Sequence, residues 1–188
     1  MSEVFRIHHC KNGETVVISQ LREDHIDEYF DFLNSLDEET KLYLKYDVSD
    51  KDLVRERLQS ISRGTRVTLI ARTDARQIVG SATVYWSEFG WKAHIGKLRV
   101  VVHPHCRCQG LARGLTSAIF TLAMEQGLTL LSAQFRSDDQ ISKRLLQRLG
   151  FKTEGVLKNH IHDKLNQKHD LTIMSADLCD LVERFGVQ

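Results

Sequence analysis

Seven consecutive residues, Arg107, Cys108, Gln109, Gly110, Leu111, Ala112 and Arg113, have the composition of an anion seat. A β-branched run, Val100, Val101 and Val102, leads into them and ends at Pro104, the one proline of the chain. Residues 111–124 then carry apolar side chains at helical spacing. The first N–H groups of a helix have no intrahelical acceptor and lie at the positive end of its dipole, so a turn that exposes them binds anions. Gly110 lets a ligand approach the backbone closely, and Ala112 and Gly114 keep the first helical turn thin. Arg107 and Arg113 offer charge to a phosphate. The turn lacks the Gly-Lys-Ser/Thr of a nucleoside triphosphate loop and the three-glycine fingerprint of a dinucleotide fold.

Other residue types that do chemistry fall into poorer patterns. His103, His105, Cys106 and Cys108 are zinc-ligand types, but they crowd one turn and no second pair completes a four-ligand set, so no metal is assigned. Cys108, beside Arg107 at a helix start, sits where a thiolate is favoured, and its oxidation would block the anion seat. His160, His162 and His169, with Asp163 and Asp170, read either as a solvated turn or as the lining of an acceptor site. Asp37, Glu38 and Glu39, with Asp47, Asp50 and Asp52, read either as surface acids or as a lure for a cationic amine or polyamine.

The elements that must position these residues follow from periodicity. Residues 15–20 read as a first strand, and Asp24 as the N-cap of a helix whose Ile26, Tyr29, Phe30 and Leu33 share a face. Residues 35–47 have no clean period and read as a loop or short helix. Ser49-Asp50-Lys51-Asp52 reads as a capping box for a helix to Ile61, ended by Gly64. Residues 66–71 and 77–86 pair as a hairpin, Phe89-Gly90-Trp91 turns the chain, and a strand runs over residues 92–102. After the helix at Gly110 come a strand at 128–135, a helix at 138–149 closed by Gly150, strands at 156–161 and 170–176, and a terminal helix at 178–185. No repeat or linker divides residues 1–188, which read as a single domain.

Two separate stretches resemble one family. Arg107-Cys108-Gln109-Gly110-Leu111-Ala112 resembles the Q/R-x-x-G-x-G/A motif of the GNAT superfamily of N-acyltransferases, with the family's Val-x-Pro strand end before it. Residues 139–155 resemble the GNAT segment in which an Asn-led helix ends in Leu-Gly-Phe and a Glu-Gly follows, here Leu149-Gly150-Phe151 and Glu154-Gly155. Asp170, Met174 and Leu178 match the family's Asp-x-x-x-Met-x-x-x-Leu tail. Residues 32–46 are similar, faintly, to the entrance region of bacterial protein-lysine acetyltransferases. The resemblance implies an α/β (α+β) fold with a mixed, mostly antiparallel central sheet of about seven strands flanked by helices. It implies acetyl-CoA as co-substrate, its pyrophosphate on the amides of residues 107–112 and its pantetheine along Leu98, Val100 and Val102. Asp139 stands where the family's asparagine meets pantetheine, but an ionised aspartate only accepts hydrogen bonds, and the residue equally suits a helix N-cap. An amine acceptor is implied, and the resemblance leaves room for a homodimer.

Acyl transfer to nitrogen needs a neutral amine and a proton for the departing thiolate. Deprotonating a lysine near neutral pH costs about 4 kcal/mol, an α-amine under about 1. Family members often place a glutamate on the strand entering the motif, and residues 92–102 contain no carboxylate. His94 is the titratable substitute and alternation sets it on the side of Gly96, Leu98 and Val100, with Glu88 as the weaker alternative. The family's tyrosine four residues before the Leu-Gly-Phe glycine is replaced by Leu146, leaving Tyr85, Tyr43 and Tyr46 as possible proton donors.

Composition sets the outer bounds. The chain has 188 residues, 26 basic against 25 acidic, and a net charge of +1, so no global field draws nucleic acid. No apolar run reaches the roughly 20 residues of a membrane span, and the N-terminus does not read as a signal peptide. Four cysteines make a poor disulfide framework and suit a reduced, cytoplasmic setting. Two readings follow: an acetyl-CoA-dependent N-acetyltransferase acting on a small-molecule or protein amine, and an acyl-CoA-binding sensor without turnover.

Overall fold

A computed structural model describes residues 4–42, 44, 48–62, 65–163 and 166–185. In chain order the elements are β1 (Val4–His9), β2 (Thr15–Gln20), α1 (Ile26–Ser35), α2 (Glu38–Leu42), α3 (Lys51–Ser62), β3 (Arg66–Thr73), β4 (Ile78–Tyr85) and β5 (Ile95–Val102). They continue with α4 (Leu111–Glu125), β6 (Leu130–Arg136), α5 (Gln140–Leu149), β7 (Lys152–His162), β8 (Lys168–Asp177) and α6 (Leu178–Phe185). Eight strands form one sheet in the order β1-β2-β3-β4-β5-β6-β8-β7. The pairing is antiparallel throughout except between β5 and β6, which is parallel and therefore needs the crossover that α4 supplies. This is the mixed, mostly antiparallel sheet expected from the sequence, with β1 added at its edge.

Both faces of the sheet are covered. A larger core joins Leu69, Val84 and Leu98 of the strands to Leu115, Ile119 and Phe120 of α4, with Leu146 of α5 and Leu181 of α6. A smaller core on the other face joins Ile70 and Ile78 to Tyr29, Phe32 and Leu33 of α1 and Val54 of α3. Strand β3 lies between them, so Val67 through Ala71 are buried without alternation, as expected of a strand packed on both faces.

Several boundaries differ from the sequence expectation. Asp24 does not cap α1; it lies inside a 3-10 turn, Glu23–His25, where the Arg22 N–H donates instead to His25 Nδ1 at 3.2 Å. Asp50 caps α3 by accepting from the N–H groups of Asp52 and Leu53, at 2.9 and 3.2 Å, so the helix starts one residue inside the expected box. Gly64, Tyr43, Tyr46 and Asp47 lie outside the described residues. Strand β5 starts at Ile95 rather than Lys92, because the turn at Gly90 continues: Ala93 N–H donates to the Gly90 carbonyl and Ile95 N–H to that of Lys92, both at 3.0 Å. β7 begins at Lys152, earlier than expected, and absorbs the difference in register shifts on either side of Val156.

Candidate active site at the open end of β5

The parallel ladder is short. It runs from Ile95 opposite Leu130 to Leu98 opposite Ala133 and then stops. Beyond that rung β5 continues on β4 as far as Val102 opposite Gly80, while β6 continues on β8 as far as Arg136 opposite Leu171. Two neighbouring strands thus each lose one partner, and the sheet opens between them.

The direction of the main chain there is fixed by its hydrogen bonds. Leu130 N–H donates to the His94 carbonyl at 3.3 Å, and His103 N–H donates to Val79 of β4 at 2.9 Å. Successive strand residues point their N–H and C=O groups to opposite edges, so even-numbered residues of β5 address β6 and odd-numbered ones address β4. Leu98 is therefore spent in the ladder, and Val100 and Val102 present N–H and C=O to the opening. Their side chains meanwhile pack on the larger core. An extended ligand with amide groups can add there as a strand would.

The turn that follows closes this slot at one end. Gly110 is the N-cap of α4 with φ 85°, and Cys108, a non-glycine residue, is also left-handed at φ 63°. Left-handed residues alternating with ordinary ones turn successive N–H groups toward one concavity, which suits an anion. Among the described residues, the N–H groups of Cys108, Gln109, Gly110, Leu111 and Ala112 donate to no main-chain carbonyl. Holding Cys108 left-handed costs roughly 1–2 kcal/mol, a strain the neighbouring contacts must offset.

Those contacts come from segments that sequence reasoning did not connect to the site. Lys11 N–H donates to the Gln109 carbonyl at 3.2 Å, and Arg6 donates to Ser117 Oγ of α4 at 2.9 Å. The His8 imidazole occupies the space beside Gly114: a Cβ there would lie 2.6 Å from His8 Nδ1. Gly114 is thus a seat for His8 as well as a thin point of the helix. The signal for β1 was Asn12-Gly13, a strong hairpin dipeptide; Gly13 has φ 88° and its N–H closes the turn onto the Cys10 carbonyl at 3.0 Å. Arg107, expected to address a phosphate, is held by Thr40 Oγ1 of α2 and lies 3.9 Å from Asp37. Asp37 itself is held below the usual carboxylate range, first by its hydrogen bond with Thr40, and the Arg107 and His103 charges act in the same direction.

The other candidates are placed as follows. His94 is exposed and lies in the turn before β5, so it is not part of the strand alternation expected of it, and Glu88 is exposed in the loop before that turn. Four strand residues, about 13 Å, separate His94 from Leu98 where the sheet opens. Neither group is brought to the opening. Asp139 caps α5, accepting from the Ser142 N–H at 2.9 Å and the Ser142 hydroxyl at 2.6 Å. Leu146 is a core residue. Tyr85 lies on the α1/α3 face of the sheet, with Arg66 and Lys97 at 5.5 and 5.7 Å from its ring. Arg113 is exposed at the start of α4. His160 and His162 are exposed on β7, and His169 is paired with Asp163 at 2.8 Å. Burial pushes the thiols of Cys10 and Cys106 up, so both remain protonated at neutral pH. Among the described residues no three His, Cys, Asp or Glu side chains are placed to hold a metal ion. No described helix is long and apolar enough to cross a membrane.

A model of the acetyltransferase (GNAT) family matches residues 19–151. The chain belongs to that family. No curated protein matches the sequence. Among solved structures, the GNAT fold is shared with a ribosomal-protein-S5-alanine acetyltransferase from Vibrio fischeri (TM-score 0.79, 13% identity, covering 95% of this chain and 98% of that one). It is shared with yncA of Salmonella typhimurium, a putative acetyltransferase solved with acetyl-CoA (0.75, 20%, 87% and 94%). RimL, a ribosomal-protein α-N-acetyltransferase in complex with coenzyme A, is similar over 93% of this chain and 98% of its own (0.77, 14%). The matched span includes the open end of β5, the turn at Gly110 and the Leu-Gly-Phe segment, and it excludes β1, whose contacts brace that turn.

Proposed function

We propose that this GNAT chain transfers an acetyl group from acetyl-CoA to a primary amine, with residues 1–188 acting as one unit around a single sheet. The carrying observation is that two features suited to one ligand meet at the same end of β5: unpaired main chain at Val100 and Val102, and open N–H groups at residues 108–112. Pantetheine amides would pair with the former and the pyrophosphate would sit on the latter, which leaves the thioester near the last rung at Leu98. There the amine nitrogen forms its bond to the carbonyl carbon, the C–S bond breaks, the amine gives up a proton and the thiolate takes one. A main-chain N–H aimed at the developing oxyanion is worth about 3 kcal/mol. No carboxylate stands at that point on the strand, so the amine must arrive neutral or lose its proton to water.

Calorimetry with coenzyme A, followed by thiol release from acetyl-CoA across a panel of amines, tests this. Micromolar binding with amine-dependent release is expected. Binding without release from any amine would replace the transferase by an acyl-CoA sensor.

A further inference from the structure

One of the cations expected at the anion seat is engaged elsewhere: Arg107 is held by Thr40 and lies 3.9 Å from Asp37. Another ionisable group stands behind the turn. The His8 imidazole of β1 lies against the first turn of α4 in the space that Gly114 leaves, where a Cβ would come within 2.8 Å of its Cε1. The ring also reaches toward the helix start, because a Cβ on Gly110 would lie 3.8 Å from Nε2. Residues four apart on a helix are neighbours, so the imidazole lies along one face of α4 with Nε2 toward the Gly110 end. Nε2 is buried and has no hydrogen-bond partner among the described residues. An unpaired buried nitrogen is the exception in folded proteins, and one beside an anion seat can serve the anion.

In the free chain this imidazole is held below its ordinary pKa by burial, and the Arg6 and His9 charges act in the same direction. Among the described residues no acid opposes them there. Arg6 is bound to Ser117 of α4, and β2 meets His8 at Val16. α4 presents Gly110 and Gly114, with Arg113 beside them, and the Lys11 N–H anchors the Gln109 carbonyl. Glu14, the acid of the hairpin, is held by Asn12 at 2.9 Å. A diphosphate on the N–H groups of residues 108–112 reverses this balance. It brings negative charge to Gly110, and a nearby opposite charge favours the protonated imidazole.

Resting on the coenzyme A reading above, we infer that His8 is a binding residue of the anion seat, whose imidazole takes up a proton when a diphosphate fills the turn and so supplies the positive charge that Arg107 does not. The proton comes from the buffer, and affinity therefore rises as pH falls through the imidazole range. His8 lies outside residues 19–151, the span that the family model matches, so the motif itself does not supply this charge.

The test is calorimetry of the full chain with dephospho-coenzyme A in two buffers of different ionisation enthalpy. This ligand has no phosphomonoester, and its diphosphate stays ionised across the range used, so a proton taken up is the protein's. An uptake of roughly half a proton per ligand is expected at about pH 6.5, with severalfold tighter binding at about pH 5.5 than at about pH 7.5. His8→Gln should abolish the uptake and flatten the pH dependence. In the unaltered chain, the proton resonance of His8 Cε1–H should titrate at higher pH with the ligand than without it, a readout that needs no variant to fold. Binding without uptake, uptake that persists in a folded His8→Gln protein, or a His8 titration that the ligand leaves unmoved would overturn the role of His8 and leave the coenzyme A reading standing. A chain that does not bind dephospho-coenzyme A would overturn both.

Discussion

The two stretches that resemble GNAT motifs each turn at a left-handed glycine, but their hydrogen bonding is opposite. Gly110, at φ 85°, starts α4, and the five N–H groups from Cys108 to Ala112 find no main-chain acceptor among the described residues. Gly150, at φ 102°, ends α5, and the carbonyls there are taken: Gly150 N–H donates to Gln147 at 3.0 Å and Phe151 N–H to Leu146 at 2.9 Å. Phe151 and Leu146 are both buried, which completes a Schellman cap with its hydrophobic contact. Helix ends leave orphan polar groups in either case. The first junction leaves them open among the described residues, and the second spends them on the fold. A sequence motif can therefore mark a family through a purely structural device, and Leu149-Gly150-Phe151 does so here.

The sharpest way to break this contrast is to put a negative charge into the first junction. Ala112→Glu places a carboxylate at the start of α4, where the dipole favours it by about 0.3–1 kcal/mol, so thermal stability should hold or rise slightly. The same carboxylate would face a pyrophosphate held as proposed above, and a like charge so placed costs several kcal/mol. A cost of about 3 kcal/mol corresponds to a roughly hundredfold loss of coenzyme A affinity by calorimetry. Unchanged affinity in a folded Ala112→Glu protein would mean that the anion sits elsewhere.

Legibility in the sequence followed the range of the interactions. The turn at residues 107–112 was readable because strand end, glycine and helix start are adjacent, and the opening along Val100 and Val102 followed from the family resemblance. What brings other segments to the turn was not readable. His8 against Gly114, Arg6 on Ser117 and Arg107 on Thr40 each bridge tens of residues. The expected place of His94 on the strand differs for a local reason: the turn at Gly90 runs on through His94, and the strand starts at Ile95. Asp139 and Leu146 differ from the family residues in type, and the structure uses them as a cap and a core contact.

At the second junction the complementary outcome is expected. Gly150→Ala puts a Cβ on a backbone held at φ 102° and 3.0 Å from Arg184 Nη1. An L-residue in that region costs about 1–2 kcal/mol, or a Tm about 5 °C lower in a protein of this size. Affinity for coenzyme A should remain that of the unaltered chain, because no open donor lies there. Loss of affinity in proportion to stability would show that the two junctions are coupled rather than separate.

The smallest effect expected separates the junctions by pH. His8, which packs against Gly114 in the first turn of α4, is held below its ordinary pKa by burial and then by Arg6 and His9. His25 is lowered too, by burial and then by Arg72, and its Nδ1 accepts from the Arg22 N–H, which requires the unprotonated nitrogen. The unfolded chain therefore binds more protons than the folded one between those lowered values and about 6.5, and stability rises with pH across that window. It is fully present above about 6.5 and is lost as pH falls below it. The carboxylates of Asp27, Asp37, Asp138 and Asp170 are also lowered, and they act only in more acidic solution. Tm should be lower at pH 5.5 than at pH 7.5, and His8→Gln should remove part of that difference while leaving the share of His25. Gly150→Ala, far from both imidazoles in sequence and bonded to neither, should lower Tm equally at both pH values. A pH difference untouched by His8→Gln would show that His8 is not held neutral against α4.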